Sequence, residues 1–293
     1  RLEKRGVIRV VALVDPVVEH ADALRRYFPR ARHRVQLDPA ALDGVALTLI
    51  LSPAHLHCSH TLDALQAGSH VLCEKPMAAT SAQCAQMNEA AARAGRVLAV
   101  GMIRRFFPAY AQLRDLVAEG HLGTLQSFEY REGHKFEWDV TTPAAFRRRS
   151  EGGTGVLFDI GPHAIDALAW IVGGLRVLAY EDDALGGIES NASMRLRSPA
   201  CEGTLDLSWD YPQVNELRVL GSRAEAVLRV DRFDGLALGA PGGFRPVPIT
   251  ISFPADLRAH GGRRLTPKTW PDAIYAQIVQ TLRAIELGER PAA

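Results

Sequence analysis

Two short apolar runs, separated by a stretch of helix length, constrain this chain more than any other feature in it. Residues 46–51 (Ala-Leu-Thr-Leu-Ile-Leu) read as a buried strand and residues 57–67 as a helix closed by Gly68. Residues 70–73 read as a second buried strand, which runs into Glu74-Lys75-Pro76. Two strands joined by a helix lie parallel, because the crossover returns the chain to the same end of the sheet. In an open parallel sheet, ligands bind beyond the carboxyl ends of the strands. The Glu-Lys-Pro tripeptide stands at such an end and offers a carboxylate and an amine. Pro76 fixes φ and lacks an N–H, so the strand stops there. Taken by itself, Lys75-Pro76 is equally a surface turn.

The same alternation extends to both sides. Residues 7–14 are rich in β-branched side chains and end at Asp15-Pro16, which predicts another buried parallel strand with a carboxylate at its end. In a dinucleotide-binding sheet that carboxylate accepts hydrogen bonds from the adenosine ribose and repels the 2′-phosphate of NADP. Asp-Pro is also a common turn starter. A helix is expected over residues 17–27, a short strand over 35–37, a helix over 81–94 ended by Gly95, and a strand over 97–101. Together these segments predict a doubly wound α/β sheet with a parallel core for residues 1–103. A glycine-rich phosphate-binding turn would precede Asp15 by about 20 residues. No such turn precedes it here, and the first strand goes with it. The expectation is a sequence that lacks its true beginning; the alternative is a lineage without the phosphate loop.

Beyond Gly101 the pattern changes. A helix is expected over 108–119 and a strand over 125–131. A helix opens after Glu151-Gly152-Gly153-Thr154-Gly155 and runs to Val172. Strands follow over 177–180, 192–197, 203–209, 216–220, 226–230 and 247–252, and an amphipathic helix closes the chain over 271–287. Such a run predicts a large, mostly antiparallel sheet, so residues 104–293 are expected to form a second, α+β domain.

A chain of 293 residues accommodates two domains. A net charge of +1 gives no reason to expect nucleic acid or an acidic membrane as a partner. No apolar run approaches the roughly 20 residues of a membrane span. Cys58, Cys73, Cys84 and Cys201 have no paired spacing, which suits free thiols in a reducing cytoplasm. His55, His57, Cys58 and His60 crowd together, but zinc sites usually draw their ligands from two separated clusters, so no metal is expected.

A second constellation lies in the helix that follows the glycines. Asp159 and His163 are four apart and share one helical face. Histidine is the natural acid/base near neutral pH, and a neighbouring carboxylate holds its orientation. The same pair could instead be a buried polar contact that docks the helix. Gly152, Gly153 and Gly155 leave the start of that helix open to a close ligand. Asp166 follows His163 by one turn.

With these residues assembled, the chain resembles the Gfo/Idh/MocA family of NAD(P)-dependent oxidoreductases. Three motifs carry the resemblance: Ala67-Gly68-Ser69-His70-Val71-Leu72-Cys73-Glu74-Lys75-Pro76, then Val100-Gly101-Met102-Ile103-Arg104-Arg105-Phe106-Phe107-Pro108, then Gly152-Gly153-Thr154-Gly155 through Asp159, His163 and Asp166. They cover the chain as far as about Gly174; beyond that only the pattern of a large sheet matches. The resemblance implies a Rossmann-type domain, a nicotinamide cofactor and a sugar-like or cyclitol substrate. It implies that Lys75 hydrogen-bonds the reacting oxygen, that His163 is the general acid/base, and that Asp159 contacts substrate or tunes His163. It puts Asp15 at the adenosine ribose, Ser52, Pro53 and His57 beside the cofactor, Glu74 near the nicotinamide ribose, and Arg147 on the substrate side. NAD rather than NADP follows from Asp15, with NADP possible. The chain also stops at Ala293, where family members usually continue into a closing helix. The expected partners are a small sugar-like molecule and further copies of the chain, as a homodimer or homotetramer through the C-terminal sheet. The competing expectation is a non-catalytic relative, a sensor or partner subunit that kept the fold. Arg147-Arg148-Arg149 could meet a phosphate or carboxylate, or form a solvated face.

Overall fold

The structure, a computed structural model, describes residues 2–135, 155–185, 187–240, 243–257 and 262–292. Residues 1–101 with 288–291 make one compact unit, and residues 102–287 with 292–293 make another.

The first unit alternates strand and helix. It contains β1 (Ala12–Val14), α1 (Val18–Arg25), β2 (Arg32–Arg34), α2 (Pro39–Leu42), β3 (Leu47–Ile50), α3 (His57–Gln66), β4 (His70–Cys73), α4 (Ser81–Ala94) and β5 (Leu98–Val100). All its strand pairings are parallel, in two separate sheets, β1–β2 and β3–β4–β5. Ile50 faces Cys73 and Cys73 faces Val100, so β3, β4 and β5 end level with one another. The ends of α4 follow from local chemistry. The Thr80 hydroxyl accepts from the Gln83 N–H at 3.2 Å, and the helix stops at Gly95 (φ 60°, ψ 36°). Leu65, Val71, Cys73 and Met87 fill the core of this unit and are fully buried or nearly so. Burying a side chain the size of Leu65 or Met87 contributes about 1.5–3 kcal/mol. Leu49 and Leu51 on and after β3, and Val14 on β1, are exposed.

Two expectations are corrected here. The strand expected over 35–37 lies at Arg32–Arg34 instead, where pairing with Ala12–Val14 sets the register; Val35 is exposed. The first strand is shorter than the apolar run that suggested it, three residues rather than eight.

The second unit is built on an eight-stranded sheet. Its elements are α5 (Pro108–Ala118), β6 (Leu125–Gly133), α6 (Val156–Asp159), α7 (Gly161–Val172), β7 (Arg176–Asp182), β8 (Asn191–Arg197), β9 (Glu202–Ser208), β10 (Glu216–Gly221), β11 (Glu225–Arg229), β12 (Leu236–Ala240), β13 (Gly243–Pro246), β14 (Phe253–Pro254), β15 (Arg264–Leu265) and α8 (Trp270–Leu287). The strand order is β13-β12-β11-β10-β6-β9-β8-β7, antiparallel except for β6 beside β9. Alternate residues point inward: Phe128 and Tyr130 on β6, Met194 and Leu196 on β8, Leu205 and Leu207 on β9, Leu217 and Val219 on β10. They pack with Phe106, Phe107, Tyr110, Leu113 and Leu168 into one core. Phe107 stacks on Phe233 at 4.1 Å and meets Trp270 edge-on at 4.9 Å. The other face of the sheet is polar. There Arg197 pairs with Glu202, Arg218 with Glu225 at 2.8 Å, and Ser193 with Asp206 at 2.6 Å.

The strand expected over 247–252 is absent. Val247, Ile249 and Ile251 do pack against the core, so the alternation is real, but the backbone bonds elsewhere. The Thr250 N–H donates to Gln112 Oε1 at 3.1 Å, and Ile251 O accepts from Thr266 Oγ1 at 3.2 Å. The single helix expected to carry Asp159 and His163 is instead two pieces, α6 and α7, that meet at Ile160, just before Gly161-Pro162. Proline has no N–H to continue the ladder.

Candidate active site

Each unit carries its own group of candidate residues. In the first, the groups gather where β3, β4 and β5 end. Ser52 and Pro53 follow β3, Glu74, Lys75 and Pro76 follow β4, and Gly101 follows β5; the Lys75–Pro76 peptide is cis. The Glu74 N–H donates to Ile50 O at 2.9 Å and the Gly101 N–H to Cys73 O at 2.7 Å, so parallel pairing carries on to the last residue. A Cβ on Gly101 would lie 3.1 Å from Glu74 Oε1 and 3.2 Å from its Cδ, so that carboxylate lies close against the end of β5. The Lys75 N–H also donates to Glu74 Oε2. Loss of hydration raises the Glu74 carboxyl above the usual carboxylate range, against the pull of the Lys75 N–H, the Lys75 charge and His57.

His57 ties this edge together. It is 1% exposed, in the first turn of α3. Its Nδ1 lies 2.7 Å from Pro76 O and its Nε2 2.7 Å from Ser52 O. The ring therefore joins the segment after β3 to the segment after β4. Carbonyl oxygens only accept, so a ring nitrogen donates wherever it carries the proton. His60, one turn on, places its Nδ1 3.0 Å from Ser52 Oγ. Burial lowers the pKa of His60, as do His57 and His55, against Asp63. No group of three or more metal-ligating side chains occurs among the described residues. His57 is committed to the two carbonyls.

Asp15 stands at the end of β1. Its Oδ1 accepts from the Val17 N–H at 2.8 Å, its Oδ2 is 3.3 Å from His20 Nδ1, and its carbonyl is 2.9 Å from His33 Nε2. Asp15 thus begins a turn, and its carboxylate is partly open to solvent at a strand's carboxyl end.

In the second unit Asp159 closes α6 and is 6% exposed, and His163 lies in the first turn of α7, half-buried. Asp166, one turn further, belongs to a different contact. Arg105 Nε donates to Asp166 Oδ2 at 2.9 Å and Arg105 Nη2 to Oδ1 at 2.6 Å. Its neighbour Arg104 makes a second two-pronged pair, with Glu132 on β6 at 2.5 and 2.7 Å. Tyr130 donates to Glu132 Oε2 at 2.7 Å and Arg104 donates to the Tyr130 hydroxyl. Burial works against the Arg104 charge, but Glu132, Tyr110 and Tyr130 hold its pKa well above the usual value. Arg147, Gly152, Gly153 and Thr154 lie outside the described residues.

Sequence reasoning quoted Arg104, Arg105 and Asp166 within motifs but gave them no role, although two adjacent arginines just after a strand's end were a visible signal. It passed over Glu189 altogether. That residue's carboxylate lies against Gly155, and it sits in a loop with no local pattern to mark it.

Two family descriptions match the chain. "Oxidoreductase family, NAD-binding Rossmann fold" covers residues 2–102, and "GFO/IDH/MocA C-terminal domain" covers residues 110–227. The chain is 35% identical over 186 residues to D-glucoside 3-dehydrogenase of Escherichia coli K12, covering 58% of this chain and 48% of that protein. It is 29% identical over 158 residues to scyllo-inositol 2-dehydrogenase (NADP(+)) of Bacillus subtilis 168, covering 54% and 43%. The chain spans about half the length of these curated relatives or less. Among solved structures, levoglucosan dehydrogenase in complex with NADH and levoglucosan superposes with a TM-score of 0.81 at 20% identity, over 97% of this chain and 82% of that one. At that identity the superposition speaks for the fold: a Rossmann-type domain followed by a domain with a large mixed sheet.

Proposed function

Because this chain belongs to the GFO/IDH/MocA family of oxidoreductases, we propose that it moves hydride between a nicotinamide cofactor and a carbinol carbon of a sugar, sugar derivative or cyclitol. The observation that carries this reading is the level edge of β3–β4–β5. There His57 fixes the segments that present Ser52, Glu74 and Lys75, with Glu74 laid over Gly101. Relatives named for glucoside and inositol oxidation support the substrate class.

The donor set suits the two ribose ends of a dinucleotide. Asp15 offers a carboxylate to adenosine ribose hydroxyls, and Glu74 offers one beside the nicotinamide ribose. When bound, the nicotinamide supplies the hydride chemistry. The chain's own residues supply position and proton transfer. Lys75, as an ammonium, donates to the reacting oxygen and stabilises the negative charge that develops there during oxidation. His163 takes the hydroxyl proton in oxidation and returns it in reduction. Asp159 orients His163 or touches the substrate, and Arg147 contributes on the substrate side.

NAD is the proposed cofactor, because a carboxylate at Asp15 repels a 2′-phosphate; the relative named for NADP(+) keeps NADP in view. Copies of the chain are proposed to pair through the polar face of the eight-stranded sheet, where arginines and carboxylates alternate and a second copy would offer the same set. The cytoplasm is the proposed compartment, supported by four free cysteines. No helix among the described residues is long and apolar enough to cross a membrane.

Titration of the purified protein with NADH and NADPH, followed by nicotinamide fluorescence, tests the cofactor assignment. Saturable binding with NADH preferred is expected. Absence of binding by either nucleotide would contradict the proposal.

A further inference from the structure

The segment that bears Asp159 and His163 cannot hold itself in place. α6 has four residues, far below the length at which a helix is stable alone. It joins α7 through Gly161-Pro162, where the ladder lacks a donor. Two charged side chains from elsewhere in the same unit grip the segment, one on each side of the Asp159–His163 pair.

On the N-terminal side the grip is Glu189. Its backbone carbonyl accepts from the Val156 N–H at 3.1 Å, and its Oε1 accepts from the Leu157 N–H at 3.1 Å. These are first-turn donors that have no partner within the helix. A Cβ on Gly155 would lie 2.1–2.2 Å from the Glu189 carboxylate, so only glycine admits that carboxylate. Glu189 is itself held by its neighbours. Asp183 Oδ1 accepts from the Ser190 N–H at 2.8 Å and the Asn191 N–H at 2.9 Å, and Ser190 O accepts from the Trp209 N–H at 2.8 Å.

On the C-terminal side the grip is Arg105. It holds Asp166 with two parallel bonds of 2.9 and 2.6 Å, and Nη1 donates to Ala292 O at 2.8 Å. Its guanidinium lies 5.6 Å from the centre of the Trp170 ring, a second point of contact on α7. Asp166 is three residues after His163, hence a neighbour on the helix surface. The fork geometry of arginine fixes angle as well as distance.

We propose that Glu189 and Arg105 are positioning residues for the Asp159–His163 pair: together they set where that pair stands in α6 and α7. The proposal rests on the reading of His163 as the acid/base. Neither residue touches the reacting atoms. Displacing a catalytic group by about 1 Å costs on the order of 100-fold in rate.

The test measures kcat, KM and NADH affinity in the full chain for Glu189→Ala, Glu189→Gln, Arg105→Ala, Arg105→Lys and His163→Ala. In Glu189→Ala and Arg105→Ala, kcat is expected to fall on the order of 10- to 100-fold, with KM and NADH affinity near those of the unaltered protein. Glu189→Gln keeps an oxygen for the Leu157 N–H and should recover most of the loss; Arg105→Lys keeps the charge without the fork and should recover less. Unchanged kcat in both alanine variants, with His163→Ala inactive, would overturn the proposal alone. A joint fall of kcat and NADH affinity that the conservative variants do not relieve would also overturn it, as a general structural effect. Full turnover by His163→Ala would overturn the acid/base reading and the proposal with it.

Discussion

Lys75→Ala is expected to lower kcat on the order of 100- to 1000-fold, the usual effect of removing one preorganised donor from a developing oxyanion. NADH affinity should stay near that of the unaltered protein, because Asp15, Ser52 and the His57 tie remain. Unchanged turnover would remove Lys75 from the mechanism. Burial pushes the Cys73 thiol up to about 12, helped by Glu74 and its neighbouring thiols and opposed by a bond from Thr61. The Tyr110 hydroxyl is likewise pushed up to about 12 by burial, against the Arg104 charge. Their usual values are about 8.5 and 10. Each folded value is raised, so the stability each group contributes is complete below its unfolded value. That stability is lost as pH climbs toward 12. The unfolding free energy from urea titrations should therefore fall with rising alkalinity, by about 1.4 kcal/mol per pH unit for each such group inside its own window, and the midpoint with it. A midpoint that holds steady across that range would contradict the burial of both groups. At this scale the sequence was legible for position: Asp15 and Lys75 stand at the strand ends where they were expected. His57 could be singled out only through resemblance, since its two carbonyl partners, Ser52 O and Pro76 O, are brought together by folding.

Among the elements, α4 shows how much a local signal can carry. Its alanine-rich body and closing glycine gave both ends to the residue, and the structure adds the Thr80 hydroxyl cap. Thr80→Ala should cost about 1 kcal/mol, read as a lowered melting temperature. The turn after β5 is the opposite case. Arg104 meets Glu132 on β6 across 28 positions of sequence, a contact no window could reveal. Glu132→Ala would leave a buried guanidinium without its carboxylate and should cost about 3–5 kcal/mol in a denaturation experiment. A loss below about 1 kcal/mol, the range of an exposed pair, would contradict the buried pair. The strands that sequence reasoning missed have specific causes. β2 consists of Arg-His-Arg and has no apolar residue to announce it. β12 contains Gly239, and β13, the edge strand, contains Gly243 and Pro246, residues that an edge tolerates. Residues 247–252 alternate as a strand does, because alternate side chains pack on the core; the Val247 N–H still reaches Leu236 O, but the Thr250 N–H and Ile251 O bond to side chains.

On the scale of the whole molecule, the alternation of strand and helix followed by a run of strands was enough to read a parallel α/β domain and a second domain with a large sheet, while the Rossmann type came from the family resemblance. The parallel pairing of β6 with β9 was not readable, because their partnership spans about 75 positions and depends on what fits between β10 and β8. If copies pair through the polar face of that sheet, light scattering should give a mass that is a multiple of one chain, and raised salt should weaken the association. A single-chain mass at working concentration would contradict that arrangement. The central claim is that these residues assemble into an oxidoreductase for sugar-like hydroxyls. Its most direct test follows nicotinamide absorbance while the protein is offered NAD and a panel of sugars and cyclitols, with His163→Ala measured alongside. The account predicts turnover of at least one secondary alcohol in the panel and loss of that turnover in the variant. A protein that binds the nucleotide but turns over nothing in the panel, or whose His163→Ala variant works as well as the original, would contradict it.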